Sequence, residues 1–167
     1  QIDNLINSIL AAISVGIKFK KMINIIHKVN NPIGRIDYIG NKYKTIIIDY
    51  AHTPDGLKKV LQSLLTHFNK KIILVFGCGG DRDRKKRLTM GRIANKYCNK
   101  VFITDDNPRY EDPHKIRFEI AKGCNKSKII SSREEAIKKA FKLLNKTNLL
   151  LITGKGHENY QIFKNIK

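Results

Sequence analysis

The fold is decided by the stretch IILVFGCGGDRDR, which runs from Ile72 to Arg84. Its first five residues are apolar and largely β-branched, too few to span a membrane and typical of a buried parallel strand. A polar loop with three glycines follows. Residues Lys85 to Tyr97 then place apolar side chains at helical spacing. The stretch therefore predicts a strand, a glycine-rich loop and a helix in direct succession.

The loop from Gly77 to Arg84 has two interpretations. Its glycines could let backbone N–H groups approach an anion at the start of a helix, or they could serve an ordinary turn that needs a positive φ. Known nucleotide signatures do not decide between them, because Arg82 stands where a dinucleotide fingerprint requires glycine. The pair Gly154-Lys155 also lacks the earlier glycine of a P-loop. A dehydrogenase and a self-sufficient P-loop enzyme are both disfavoured.

Strands and helices alternate along the chain after residue 34. This alternation predicts an α/β fold, a Rossmann-like and mostly parallel sheet with helices on both faces. We predict an initial hairpin with strands at 35–39 and 44–50, and later strands at 100–104, 128–130 and 149–153. Helices should begin after Thr53-Pro54, after Asp112-Pro113 and after Ser132. Ser132 is predicted to form a capping box with Glu135. The inner faces of two of these helices should carry Leu57, Val60, Leu61, Leu64, Leu65 and Phe68, and Ala136, Ile137, Ala140, Phe141 and Leu144.

Residues 3–29 have a different pattern, which predicts helix with a break near Gly16. Asn31-Pro32-Ile33-Gly34 is typical of a linker. We therefore predict two domains, a helical segment at 1–31 and the α/β domain at 32–167.

Composition excludes several classes of protein. The 167 residues suffice for one domain with a hydrophobic core. The three cysteines are odd in number, widely spaced and without a C-x-x-C pair, which favours neither a disulfide framework nor a zinc site. No metal site made by this chain alone is expected.

Neither a signal peptide nor a membrane span is evident, so we expect a cytoplasmic protein without a membrane partner. The net charge of +19 could attract nucleic acid, but the lysines are scattered, so a dedicated nucleic-acid role is disfavoured.

Polar loops should gather where the parallel strands end, at the edge where such sheets bind ligands. In the loop Asp105 to Arg109, Asn107 offers an amide and Arg109 a planar fork that suits a carboxylate. In the loop Gly154 to Glu158, Glu158 could accept an ammonium. Each residue alone could be an exposed turn residue. Together they favour a zwitterionic ligand.

Five ordered motifs carry a resemblance to a known family: Gly34-Arg35, the stretch 49–55 (DYAHTPD), the stretch 77–83 (GCGGDRD), the stretch 104–109 (TDDNPR) and the stretch 154–161 (GKGHENYQ). With these motifs the chain resembles the Mur ligases, in the group that adds the third amino acid of the peptidoglycan precursor. Upstream, residues 4–12 resemble the tail of that family's central ATP-binding domain. The resemblance implies the C-terminal domain of such an enzyme, preceded by a remnant of the central domain.

The resemblance also implies a reaction and a set of site residues. Family members use ATP and Mg²⁺ to convert the D-glutamate carboxylate of UDP-MurNAc-L-Ala-D-Glu to an acyl phosphate, which an amine attacks. Relatives that add L-lysine lack an arginine at the position of Arg109, so meso-diaminopimelate is the implied amino acid. By this resemblance, the amino acid would be held by Arg87, Asn107, Arg109, Gly154 and Glu158. The nucleotide would be contacted by Asn7, Arg35 and Asp49, and His52 would lie beside this contact.

The sequence also departs from complete family members. It carries no P-loop, no carbamylated lysine for magnesium and no domain for the UDP group, so we expect that this polypeptide alone, a monomer, does not catalyse ligation. Its loop Gly77 to Arg84 would shape the wall between nucleotide and amino acid, with Arg87 reaching the amino acid. A stand-alone ligand-binding remnant and a basic nucleic-acid-binding module remain as alternatives.

Overall fold

The computed structural model describes residues 2–29, 32–41 and 43–164. Contacts divide the chain into two compact units, Gln1–Pro32 and Ile33–Lys167. The first unit contains α1 (Ile2–Ser14) and α2 (Phe19–Ile25), followed by a short 3-10 turn. The helices are interrupted at Gly16, whose φ is +86°, so the predicted break is confirmed. Asn31 of the predicted linker lies outside the described residues.

The second unit is built on one six-stranded sheet. Its strand order is β1-β2-β6-β3-β4-β5. Among the strands of the described residues, only the β1–β2 pair is antiparallel, which confirms the predicted hairpin and the mostly parallel sheet. The strands are β1 (Asp37–Gly40), β2 (Thr45–Asp49), β3 (Lys71–Phe76), β4 (Lys100–Ile103), β5 (Ser127–Ile129) and β6 (Asn148–Thr153).

Helices cover both faces of this sheet, as predicted. Successive residues of a strand point to opposite faces, so Leu74 packs with one set of helices and Val75 with the other. Three helices share the core of Leu74, and one helix shares the core of Val75. The first set is α3 (Pro54–His67), α4 (Lys85–Tyr97) and α5 (Pro113–Ala121), and the single helix on the second face is α6 (Arg133–Phe141).

The helix starts follow the predicted caps. The Thr53 hydroxyl accepts the Gly56 N–H at 3.2 Å, and the Ser132 hydroxyl accepts the Glu135 N–H at 3.2 Å. Only this half of the predicted capping box forms, because the carboxylate of Glu135 lies 3.6 Å from the ammonium of Lys139 and pairs along the helix. Two predicted core residues are wrong: Leu65 and Phe141 are each 41% exposed, because they lie at the margins of their apolar faces.

The parallel arrangement brings the ends of β2, β3, β4 and β6 to one edge of the sheet. The loops that follow these strands begin at Tyr50, Gly77, Thr104 and Gly154. These are the loops in which the sequence places its candidate site residues.

Candidate functional site

Close packing between two loops forms the base of the site. A Cβ atom added to Gly80 would lie 1.9 Å from the carbonyl oxygen of Pro108, and one added to Gly77 would lie 2.2 Å from that of Thr104. The Gly80 N–H also donates to the carbonyl oxygen of Asn107 at 2.9 Å. Neither glycine has a positive φ, so the turn interpretation of these positions is wrong. Glycine is required here because two backbones come into contact.

Asn107 and Glu158, two predicted ligand residues, meet at this edge. The Asn107 amide donates to Glu158 Oε2 at 3.1 Å. Lys155 lies between them: its ammonium donates to Asn107 Oδ1 at 2.9 Å and to Glu158 Oε2 at 3.1 Å. The Ile162 N–H also donates to Asn107 Oδ1, at 3.0 Å. Both side chains are therefore oriented by neighbours before any ligand arrives.

The electrostatic surroundings favour an ionised Glu158. Burial opposes the charged form, but hydrogen bonds from Lys155 and Asn107, with the nearby Lys155 charge, outweigh burial and lower the pKa of the Glu158 carboxyl. Its other oxygen, Oε1, accepts from the Tyr50 hydroxyl at 3.4 Å. The site thus presents a carboxylate with one well-bonded oxygen and one loosely bonded oxygen.

Arg109 is held at a strained backbone position with a φ of +53°. Its guanidinium donates to the carbonyl oxygen of Gly80 at 2.8 Å, and a Cβ atom at Gly79 would lie 2.9 Å from Arg109 Nη1. The Arg109 backbone exchanges hydrogen bonds with Ile162 and Lys164. The arginine therefore lies across the glycines of the preceding loop, half-buried at the same edge.

Gly154, the fourth predicted ligand residue that lies here, starts the loop after β6 with a φ of +109°. A Cβ atom at this position would lie 2.8 Å from the carboxylate oxygen Oδ2 of Asp106. Gly154 therefore allows this loop to approach the loop that carries Asn107 and Arg109.

Arg87, the fifth predicted amino-acid ligand, is held by groups of this chain, and its guanidinium donates to the Gly79 carbonyl oxygen at 3.4 Å. Its side chain is 0% exposed, and its guanidinium donates to both oxygens of Glu111 at 2.8 and 3.1 Å and to Glu119 at 2.8 Å. Burial disfavours the charge, but these two carboxylates more than compensate and raise the pKa of Arg87. In the structure, Arg87 connects α4 with α5 and with the loop that contains Glu111, through its ion pairs.

Glu111 is a residue that sequence reasoning missed. Besides Arg87, it accepts the Asp81 N–H at 2.6 Å and pairs with Arg84 at 3.1 Å. The Arg87 hydrogen bond is the largest influence that lowers the pKa of Glu111. Glu111 thus anchors the glycine-rich loop to α4. On that loop Arg82 is exposed, and its guanidinium donates to the neighbouring Asp81 carbonyl at 3.3 Å.

The predicted nucleotide residues of the second unit surround Tyr50. The Arg35 guanidinium lies 4.5 Å from the centre of the Tyr50 ring, and the His52 Nδ1 atom lies 2.9 Å from the Tyr50 carbonyl oxygen. Asp49 is 5% exposed, and its carboxylate accepts the N–H groups of Ile36 at 3.0 Å and Ala51 at 2.7 Å. Asp49 therefore fixes the backbone beside Arg35. Tyr50 was also missed, although it joins this group to Glu158.

The cysteine of the glycine-rich loop is buried. Burial raises the pKa of the Cys78 thiol to about 12, so this loop cysteine is not a thiolate nucleophile. Among the described residues, no group of three or more His, Cys, Asp or Glu side chains is placed to hold a metal ion, and no helix is long and apolar enough to cross a membrane. Asn7 lies exposed on α1 of the first unit.

Relatives of known name match nearly the whole chain. The UDP-N-acetylmuramoyl-L-alanyl-D-glutamate–2,6-diaminopimelate ligase of Wigglesworthia glossinidia brevipalpis is 45% identical over 168 residues, which cover 98% of this chain and 34% of that relative. A solved structure of a ligase with the same name has a TM-score of 0.74 and 37% identity, and the match covers 99% of this chain and 35% of that one. The chain thus spans about a third of the length of the curated relatives it matches.

More distant structures share the fold. A Yersinia pestis folylpolyglutamate synthase/dihydrofolate synthase, solved with AMPPNP and a manganese ion, has a TM-score of 0.63 at 16% identity over 76% of this chain and 29% of its own. A family model described as Mur ligase, glutamate ligase domain, matches residues 34–156. The chain therefore belongs to the Mur ligase family.

Proposed function

We propose that this chain is the part of an ATP-dependent amide ligase that delivers meso-diaminopimelate to UDP-MurNAc-L-Ala-D-Glu in peptidoglycan biosynthesis. The observation that carries the proposal is that Asn107 contacts both other residues at one edge of the sheet: its amide donates to Glu158 Oε2 at 3.1 Å, and its backbone carbonyl oxygen accepts from the Arg109 guanidinium at 3.4 Å. An arginine fork and a carboxylate on adjacent loops complement a ligand that carries both a carboxylate and an ammonium. The names of the relatives support this assignment.

The far end of meso-diaminopimelate has both groups. Its carboxylate would pair with Arg109 and its ammonium with Glu158, while the Asn107 amide and the backbone at Gly154 complete the contact. Arg87 would contribute through the glycine-rich loop, because its guanidinium donates to the Gly79 carbonyl oxygen at 3.4 Å and a Cβ atom at Gly79 would lie 2.9 Å from Arg109 Nη1. L-lysine has no carboxylate at this end, so the Arg109 guanidinium would have no ligand anion to pair with.

The residues around Tyr50 would face the nucleotide. The exposed guanidinium of Arg35 suits a phosphate group, and exposed His52 lies beside it. Asp49 would act by bracing the backbone of this segment, because backbone N–H groups occupy its carboxylate. When bound, ATP with Mg²⁺ supplies the activation of the D-glutamate carboxylate as an acyl phosphate. We assign the main binding contacts with ATP and Mg²⁺ to a part of the enzyme outside this chain.

We also propose the domain organisation that the motifs imply. Residues 1–31 would be the tail of the central ATP-binding domain, with Asn7 near the adenine, and residues 32–167 would be the C-terminal domain. The full enzyme would act as a monomer in the cytoplasm, where ATP is available.

A chimera tests the proposed function. The matching C-terminal third of the Wigglesworthia ligase would be replaced by this chain, and ADP release would be measured with meso-diaminopimelate and with L-lysine. We expect release that depends on meso-diaminopimelate, and no tripeptide synthesis by the chain alone. A folded chimera that prefers L-lysine would contradict the choice of amino acid, and tripeptide synthesis by the isolated chain would contradict its role as a part.

A further inference from the structure

Lys155 lies in the middle of the proposed amino-acid site, and the proposed function gives it no role. Its side chain is 7% exposed. Its ammonium contacts Asn107 Oδ1 at 2.9 Å and Glu158 Oε2 at 3.1 Å and lies 5.6 Å from the centre of the Tyr160 ring. A buried ammonium is costly unless it is paired and hydrogen-bonded, so these contacts hold Lys155 in one place.

These contacts fix which atom of the Asn107 amide faces which neighbour. Two donors, the Lys155 ammonium and the Ile162 N–H, converge on one terminal atom of the side chain, which must therefore be the oxygen. The amide nitrogen is then directed at Glu158 Oε2. Without Lys155 one of these constraints disappears, and the amide gains freedom to turn.

The same contacts divide the two oxygens of Glu158. Oε2 accepts from both Lys155 and Asn107, at 3.1 Å each. Oε1 has the longer contact of 3.4 Å with the Tyr50 hydroxyl. An incoming ammonium therefore meets a carboxylate whose more weakly bonded oxygen is Oε1.

We propose that Lys155 is a positioning residue of the amino-acid site: it locks Asn107 and ionised Glu158 into one arrangement and leaves Glu158 Oε1 as the acceptor for the ammonium of the ligand. This inference rests on the proposed function for the identity of the ligand. It does not require Lys155 to touch the ligand.

Few other groups face Glu158. Tyr50 and Asn107 donate to it, and the exposed imidazole of His157 precedes it in the chain. The Arg133 charge at the start of α6 also acts on it, but that guanidinium donates to the Thr153 carbonyl at 3.0 Å. Within the described part of the chain, Lys155 is thus the cation in direct contact with Glu158. Its removal should raise the Glu158 pKa, because the ionised form loses its nearest positive charge.

The first test is Lys155→Met, which keeps a long unbranched side chain and removes the charge. Carbon-detected NMR of the chain follows the titration of the Glu158 carboxyl. We expect the Glu158 pKa to rise, and binding of meso-diaminopimelate at neutral pH to weaken about tenfold, which corresponds to 1.4 kcal/mol. The acid limb of the binding profile should move to higher pH. Lys155→Arg, which restores a cation, should bring the Glu158 pKa back down.

Lys115→Met is the matched control, because it removes one positive charge from an exposed position of α5. It should change neither the Glu158 pKa nor binding. A second measurement covers the case in which Lys155→Met does not fold. In the wild-type chain, the ammonium protons of Lys155 should exchange slowly with water, because the group is hydrogen-bonded and enclosed.

The outcomes separate the two proposals. An unchanged Glu158 pKa in folded Lys155→Met, or rapid exchange of the Lys155 ammonium in the wild type, overturns the positioning role even if meso-diaminopimelate binds. Failure of the wild-type chain to bind meso-diaminopimelate, with the Glu158 pKa still dependent on Lys155, overturns the ligand assignment instead.

Discussion

Gly80 lies directly against Pro108: a side-chain carbon at Gly80 would be 1.9 Å from the carbonyl oxygen of Pro108. The same glycine donates its N–H to the carbonyl oxygen of Asn107 at 2.9 Å. The loop Gly77 to Arg84 and the loop Asp105 to Arg109 are thus built on each other. The position of Asn107 and Arg109 depends on a loop that contributes neither residue.

Gly80→Ala should therefore move the ligand residues. We expect a loss of about 1–3 kcal/mol in the free energy of unfolding, because the added methyl group meets backbone that cannot move aside. Binding of meso-diaminopimelate should weaken as well. Urea unfolding and an NMR titration measure the two effects. Gly56→Ala is the comparison variant, because its Cβ atom would come no closer than 3.0 Å to a neighbour, and that neighbour is the side-chain oxygen of Thr53 and not backbone. Equal losses for both variants would contradict this account.

Glu111→Gln should destabilise the chain by about 2 kcal/mol, because the buried Arg87 guanidinium loses one of its two carboxylates. Urea unfolding at pH 7 measures the loss. Glu119→Gln should cost less, since the Glu119 side chain is 39% exposed and that of Glu111 only 12%. A larger loss for Glu119→Gln would show that Glu111 is not the main anchor.

The contribution of Glu111 should also depend on pH. Its folded-state pKa lies below the ordinary value of 4.5, so its stabilising effect is present above the unfolded pKa and is lost as pH falls through the folded pKa. The difference in unfolding free energy between the wild type and Glu111→Gln should be constant near neutral pH and shrink below about pH 4.5. Chemical unfolding over a pH series tests this. A difference that persists unchanged to pH 2 would be inconsistent with the ion pair.

Arg82 and Arg87 should differ in their effects. Arg82→Ala, at an exposed position, should change neither the unfolding free energy nor meso-diaminopimelate binding measurably. Arg87→Ala should lower the unfolding free energy, because it leaves Glu111 and Glu119 without their shared partner. Calorimetric unfolding and ligand titration on both variants make the comparison. Unchanged stability of Arg87→Ala would contradict the internal role of this arginine.

The sequence predicted the features that depend on local chemistry. The helix start at Thr53 and the strand Lys71–Phe76 follow from a cap, a proline and a short apolar run, all of which act within a few residues. The edge of the sheet where polar loops meet follows from the parallel arrangement.

Roles that depend on distant partners could not be predicted in this way. Arg82, Arg84 and Arg87 look alike in the sequence, and Arg87 is buried because carboxylates 24 and 32 residues away surround it. Lys155 was overlooked for the same reason, since its partner Asn107 lies 48 residues away. Only the packed loops distinguish an internal cation from one that is open to a ligand.

The most direct test of the central claim is an NMR titration of this chain with meso-diaminopimelate and, separately, with L-lysine. The account predicts shifts of the backbone amides of Asn107, Arg109, Gly154 and Glu158, at lower concentrations of meso-diaminopimelate than of L-lysine. No shifts at these residues, or equal responses to both amino acids, would contradict it.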